Sequence, residues 1–261
     1  MYNLKVYSYP NSKEYRFYQK PIEENVKRDI EERKRWDNYV DDSGTRYSVN
    51  EKGEERTQEA IDHCFNSSRN RSKQTIIEYA RANDWEWFIT LTFNPDKVNS
   101  FDYDECYKKV YTFFNNLRKR KAPDIKYLCV PEQHKSGRWH FHGLMSNIGS
   151  MDISESHIKG VYNISGFSYG YTTATKVKCT KRVSTYICKY ITKDMADLTI
   201  GRHRYIKSSN LNKADVMDYN IDPIELESLK TDLIAQGAYF KESKSAQGGQ
   251  KVLYLNIDSE V

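Results

Sequence analysis

The chain has no apolar run approaching the length of a membrane span, and its first residues, Met-Tyr-Asn-Leu-Lys, lack the charged, apolar, small-residue order of a signal peptide. No membrane is expected as a partner, and residence in the cytoplasm, that of a bacterial host, is the expectation. Its five cysteines, Cys64, Cys106, Cys129, Cys179 and Cys188, are an odd number and include no Cys-x-x-Cys pair. That argues against both a disulfide framework and a thiolate zinc cluster, and leaves reduced packing residues. Nothing matches Gly-x-x-x-x-Gly-Lys-Ser/Thr, so no recognisable phosphate-binding loop is present to power a nucleotide-driven motor. There is no internal repeat.

What is present is an uneven charge. The 41 basic and 36 acidic side chains leave a net +5. Residues 1–84 carry 16 of each sign, residues 85–207 carry 20 basic and 11 acidic, and residues 208–261 carry 5 and 9. The middle of the chain is therefore +9 between flanks of 0 and −4. A cationic centre suits a polyanionic substrate; the plainer alternative is a solvated basic face.

A chain of 261 residues can bury a substantial core, as one compact domain with additions or as two small ones. Leu4 to Tyr9 and Tyr15 to Tyr18 are strand-like runs around Pro10-Asn11-Ser12, and Glu23 to Arg35 reads as a helix. The polar run from Asp41 to Glu55 reads as a loop. Ile61, Phe65, Ile76, Ile77 and Ala80 suggest a helix loosened near Asn66-Ser67-Ser68. From Trp85 the texture changes: Ile89, Leu91 and Phe93 alternate with Phe88, Thr90 and Thr92, as in a strand, and Tyr103 to Lys119 has apolar residues at helical spacing.

Next, Ile125 to Pro131 and Trp139 to Met145 flank a glycine-containing polar turn, which is a hairpin pattern. A short helix is expected near His157, a strand over Phe167 to Val177, and then a tyrosine-bearing helix. A further helix from Pro223 to Gln236 and strands over Ala238 to Lys241 and Val252 to Ile257 complete the chain. The order strand, helix, hairpin, strand, helix fits an α+β fold, an antiparallel sheet with helices on one face, ferredoxin-like or RNA-recognition-like. It divides the chain into an accessory region over 1–60, a central domain over 61–207 and an extension over 208–261.

Two short patterns carry the chemistry. Strand side chains alternate between faces, so His140 and His142 point one way and Phe141 the other, and two imidazoles converge on one point. Taken alone, the pair is as easily two satisfied polar residues at a sheet edge. On a helix, positions four apart are neighbours, so Tyr186 and Tyr190 lie one turn apart with Lys189 and Lys193 beside them.

Phe88-Ile89-Thr90-Leu91-Thr92-Phe93, His140-Phe141-His142 and Tyr186-x-x-Lys189-Tyr190-x-x-Lys193, in that order, resemble the three motifs of rolling-circle replication initiators, the HUH endonucleases. The doubled tyrosine resembles the gene A group of bacteriophage initiators. Arg71-Ser72 with Ala82-Asn83 is similar to replication proteins of small phages and of plasmids of Gram-positive bacteria. The resemblance spans roughly residues 70–210.

It implies a third metal ligand on the strand before the histidine pair, for which Glu132 is favoured. His134 is either a fourth ligand or a hairpin-turn residue facing solvent or DNA. Two imidazoles and a carboxylate suit Mg²⁺ or Mn²⁺ with positions open for phosphate oxygens. The implied reaction is attack by a tyrosine on a phosphodiester of single-stranded or melted origin DNA, giving a 5′-phosphotyrosine and a free 3′-hydroxyl. Tyr186 is expected to cut first, with Lys189 beside it and Lys193 serving Tyr190. Tyr190 is a second nucleophile on this reading, or a packing residue among the 21 tyrosines.

Thr90 and Thr92 are expected to be scaffolding. Arg118, Lys119 and Arg120, with Lys176, Lys178, Lys181, Arg182, Arg202 and Arg204, are candidates to follow a phosphate backbone, interleaved with aromatics that stack on unpaired bases. Helicase and polymerase would come from the host. A mobilising relaxase or transposase of the same superfamily, and a non-catalytic DNA-binding protein on the same fold, are the competing readings.

Overall fold

The computed structural model describes residues 1–23, 36–41, 43–50, 52–191, 199, 201–244 and 250–258. In chain order the elements are β1 (Tyr2–Tyr9), β2 (Ser12–Ile22), β3 (Trp36–Val40), β4 (Arg46–Asn50), α1 (Gln58–Arg81), β5 (Trp87–Phe93), α2 (Tyr103–Arg120), β6 (Lys126–Gln133) and β7 (Trp139–Ser146). There follow β8 (Ile153–Glu155), β9 (Tyr162–Ile164), β10 (Gly170–Lys176), α3 (Thr180–Tyr186) with a 3₁₀ turn at Ile187–Tyr190, β11 (Ile206–Lys207), β12 (Asp215–Tyr219), α4 (Pro223–Ala235), β13 (Tyr239–Lys244) and β14 (Lys251–Asp258). The fold is α+β, and the pairings of its two large sheets are antiparallel. The helix expected over Glu23 to Arg35 falls, beyond Glu23 itself, outside the described residues. No helix among the described residues is long and apolar enough to cross a membrane.

The chain divides into two compact units, Met1–Trp36 with Asn50–Gly53 and Lys213–Val261, and Asp37–Val49 with Glu54–Asn212. In the first, both ends of the chain enter one sheet of order β12-β1-β2-β14-β13. Its apolar side, Leu4, Phe17 and Leu255, packs on Leu226 and Leu233 of α4. That helix starts at Asp222, whose carboxylate accepts from Ile224 N at 2.8 Å, with Pro223 pre-set for the first turn. Arg16 is buried here with its partners: Glu14 at 2.7 Å and the rings of Tyr7 and Tyr254 at 3.9 and 5.4 Å.

The second unit is built on a seven-stranded sheet of order β11-β6-β7-β5-β10-β9-β8. On β5, Trp87, Ile89, Leu91 and Phe93 are buried, while Phe88, Thr90 and Thr92 on the other face are partly exposed. Directly opposite residues share a face, so Phe141, which pairs with Leu91, belongs to the apolar side. There α2 covers it: Tyr103 lies 6.4 Å from the Phe141 ring, and Phe114 stacks on Tyr127 at 3.9 Å. At Gly143 a Cβ would overlap Cys129 Sγ, so only glycine lets β6 and β7 pass there.

Helices on one face were the expectation, but they lie on both: α1 and the turn after α3 pack against β6 on the side opposite α2. The reason is visible in β6, where Tyr127 to Pro131 are buried without alternation, so both faces need cover. Phe141 is fully buried against Phe93, 6.2 Å away, and Tyr103. Phe141→Ala is expected to cost about 3–5 kcal/mol, measured as a lower urea midpoint with unchanged slope; a loss under about 1 kcal/mol would contradict this packing.

Three local expectations are corrected. α1 runs unbroken through Asn66-Ser67-Ser68, because Ile61 and Phe65 anchor one end and Ile76, Tyr79 and Ala80 the other. The run from Asp41 to Glu55 is not wholly loop: β3 and β4 form a two-stranded sheet. Asp41 closes it by accepting from Ser43 N and Thr45 N at 2.9 Å each. Near His157 there is no helix but the turn of the β8–β9 hairpin, tied by Ser156 N to Val161 O at 2.9 Å.

Candidate active site

The pairing of three neighbouring strands assembles the polar face of the sheet. His140 stands between Thr92 on β5 and Glu132 on β6, and His142 between Thr90 and Val130. Thr92 Oγ1 lies 3.1 Å from His140 Nδ1, and Thr90 Oγ1 3.1 Å from His142 Nδ1. Both Nδ1 atoms are thus engaged on the β5 side, which leaves Nε2 of each ring for another ligand. His142 Nε2 meets Glu132 Oε2 at 2.7 Å. Burial holds both imidazoles below the usual histidine range; His134 adds to this at His140, while Glu132 opposes it at both. Neutral rings are what a cation needs as ligands.

α3 ends at Tyr186, and the chain tightens into the 3₁₀ turn instead of continuing as the regular helix expected through Lys193. Lys193 itself lies outside the described residues. The turn buries Ile187, Cys188 and Tyr190 but leaves Tyr186 45 % exposed, against 7 % for Tyr190. Tyr190 lies flat on His142, with ring centroids 3.7 Å apart and planes 8° apart. Its hydroxyl is 3.3 Å from that of Tyr186, and the two rings are nearly perpendicular at 85°. Both phenols therefore stand on the imidazole face. Phe88 forms the floor, 5.4 Å from Tyr186 and 6.3 Å from Tyr190.

Lys189 sits with Nζ 3.7 Å from the Tyr186 ring centre and 5.0 Å from that of Tyr190. Its hydrogen bond, with that from Tyr190, draws the Tyr186 phenol below the ordinary tyrosine range. Tyr190 moves the other way, raised by burial and then by Tyr186. Of the two, Tyr186 is the accessible and more acidic hydroxyl. Cys188 between them is buried, and burial pushes its thiol up to about 12, which suits packing and not reaction. None of the five cysteines is in a disulfide.

Glu132, His140 and His142 supply the donor set of a divalent-cation site, two neutral imidazoles and a carboxylate on one face. The direct contact of His142 with Glu132 would have to part to admit an ion. Among the described residues no group of three or more His, Cys, Asp or Glu side chains stands already arranged to hold one. His134 belongs to the β6–β7 turn, with Nδ1 3.2 Å from Ser136 Oγ and its ring 5.8 Å from that of His140. Gly137 makes this turn at φ +83°, donating to His134 O at 2.8 Å.

The basic candidates are dispersed. Lys181 and Arg182 are exposed on α3, beside Tyr186, and Lys176 and Lys178 are exposed at the end of β10 and just beyond it. Arg118, Lys119 and Arg120 form the last turn of α2, on the opposite layer, where they complement the negative end of that helix. Arg202 pairs with Asp104 at 3.2 Å, and Arg204 bonds Ser68 Oγ at 2.9 Å and Ser72 Oγ at 3.3 Å on α1. Thr90 and Thr92 do more than scaffold, since they hold the histidine rings. The signal for it lay in the sequence, as both pairs share a period of two on strands that could be neighbours.

Residues 86–195, from just before β5 through the tyrosine turn, match the family model of the replication-associated protein ORF2, or gene II protein. This points to a part in DNA replication. No curated protein and no solved structure matches the chain.

Proposed function

We propose that this protein initiates replication by nicking single-stranded or locally melted origin DNA of a small phage or plasmid, as a two-tyrosine HUH endonuclease. The observation that carries this reading is the juxtaposition of two phenol hydroxyls 3.3 Å apart on the histidine face, one of them with Lys189 against its ring. The match of residues 86–195 to replication-associated proteins supports the same direction.

In the proposed reaction the Tyr186 phenolate attacks phosphorus, the P–O3′ bond breaks, and the 3′ oxygen leaves and takes up a proton. The product is a 5′-phosphotyrosine. A phenol with an ordinary pKa of about 10 is mostly protonated at neutral pH, and Lys189 shifts it toward the reactive form. Glu132, His140 and His142 would hold Mg²⁺ or Mn²⁺, which would polarise the phosphoryl oxygen. Thr90 and Thr92 orient the two rings. Tyr190 is the second nucleophile, and its stacking on His142 keeps it in reserve until the 3₁₀ turn shifts. Because the phosphotyrosine conserves the energy of the cut bond, a free 3′-hydroxyl can reverse the step and rejoin the strand. Host helicase and polymerase would act between the two events.

The test is a random-sequence pool of single-stranded oligonucleotides, labelled at either end, incubated with the protein with and without Mn²⁺. An adduct that survives denaturation and carries only the 3′ label is expected. DNA binding without an adduct would favour a non-catalytic DNA-binding protein, and an adduct carrying the 5′ label would overturn the polarity. Thr90→Val and Thr92→Val are each expected to lower Mn²⁺ affinity about 10–100-fold, read from the Mn²⁺ dependence of adduct formation; unchanged dependence would remove the threonines from the account.

A further inference from the structure

A second cationic site stands at the β11 edge of the larger sheet. β11 pairs with β6, Lys207 opposite Leu128, one strand out from the one that carries Glu132. Here α1, α2 and the segment leading into β11 enclose a cavity of about 610 Å³. Its lining includes Arg202, Arg204, Lys207, Ser68, Ser72, Tyr107 and Tyr111, and no carboxylate among the described residues. Three cations facing one concavity repel each other unless an anion joins them.

The cations are held in place from different sides. Arg204 bonds the hydroxyls of Ser68 and Ser72 on α1, Arg202 meets Asp104 on α2 at 3.2 Å, and Lys207 Nζ lies 4.7 Å from the centre of the Tyr79 ring. The opposite wall is aromatic: the His203 ring stacks on Tyr107 at 5.3 Å and 18°, and Tyr111 is 51 % exposed. Guanidinium and ammonium groups suit a phosphate, and flat rings suit a base.

We propose that this pocket binds one nucleotide, its phosphate against Arg204 and Lys207 and its base against Tyr107 and Tyr111. The nucleotide is either a unit of the DNA strand, held at a point apart from the nick, or a free deoxynucleotide. Only the first source rests on the nicking reading. The same pocket explains why the serines sit mid-helix in α1, where they are weak helix formers but place their hydroxyls on Arg204.

The test uses the full chain with 8-azido-dAMP, inorganic phosphate, and a single-stranded oligonucleotide carrying one photoreactive base. Cross-linking of 8-azido-dAMP to the peptide of Tyr107 and Tyr111, competed by dAMP better than by phosphate, is expected. Lys207→Gln and Arg204→Lys should each weaken dAMP binding at least about 10-fold, while circular dichroism confirms the fold of both. The oligonucleotide cross-linking to the same peptide assigns the pocket to the strand; 8-azido-dAMP alone doing so assigns it to a free nucleotide. Cross-links elsewhere, phosphate competing as well as dAMP, or unchanged binding in both variants would overturn the proposal. Loss of the covalent adduct with this cross-link intact would sink the nicking reading and leave the pocket standing.

Discussion

Tyr186→Phe is expected to reduce formation of the covalent protein–DNA adduct at least about 10³-fold, equivalent to about 4 kcal/mol of transition-state stabilisation. Tyr190→Phe should leave the first adduct in place. The asymmetry follows from the two environments. Tyr186 is half-exposed, with Lys189 drawing its phenol toward ionisation, whereas Tyr190 is buried flat on His142 and its phenol is raised. What Tyr190→Phe should lose is the second transfer, seen as failure to rejoin a strand to the 3′-hydroxyl of the first. Equal first-step losses in both variants would show that the exposure and charge around these phenols do not set their order. The hydroxyl pair would then act as a unit from the start.

The second large effect is expected at the histidines. His140→Ala should lower adduct formation at least about 10³-fold by removing several kcal/mol of charge stabilisation, and should blunt the response to Mn²⁺. His140 is the cleaner probe of the two. His142→Ala would also remove the ring under Tyr190 and the partner of Glu132, so its loss mixes packing with ligation. A His140→Ala protein that keeps both its rate and its Mn²⁺ dependence would show that this face holds no catalytic ion. The pair would then be polar residues satisfied by Thr90, Thr92 and Glu132 alone.

Strand patterns with regular alternation were legible in advance. In β5 the apolar and hydroxyl residues separate cleanly, so the face of each is fixed by the pleat. The hairpin that presents His140 and His142 was legible from Gly137 and the two apolar runs around it. Features that depend on distant partners were not. The serines of α1 look like a break until Arg204 is seen bonding them. The Asp41 turn looks like loop until its carboxylate is seen to organise a hairpin.

The site was legible in part for the same reason. Side chains on one strand or one turn, such as His140 with His142 and Tyr186 with Tyr190, are related by local geometry alone. Glu132 meeting His142, the threonines on Nδ1, and Phe88 beneath the phenols depend on strand pairing and helix placement that no local spacing encodes. The change from α-helix to 3₁₀ turn at Ile187 was equally hidden, and it is what separates an exposed phenol from a buried one.

The most direct measurement is mass spectrometry of the tryptic peptides of the adduct formed with single-stranded DNA and Mn²⁺ in the first turnover. A 5′-nucleotide joined to the peptide of Tyr186, through the phenol oxygen, is the result expected. A nucleotide on a residue remote from Glu132, His140 and His142, or cleaved strands whose ends carry no protein at all, would contradict it.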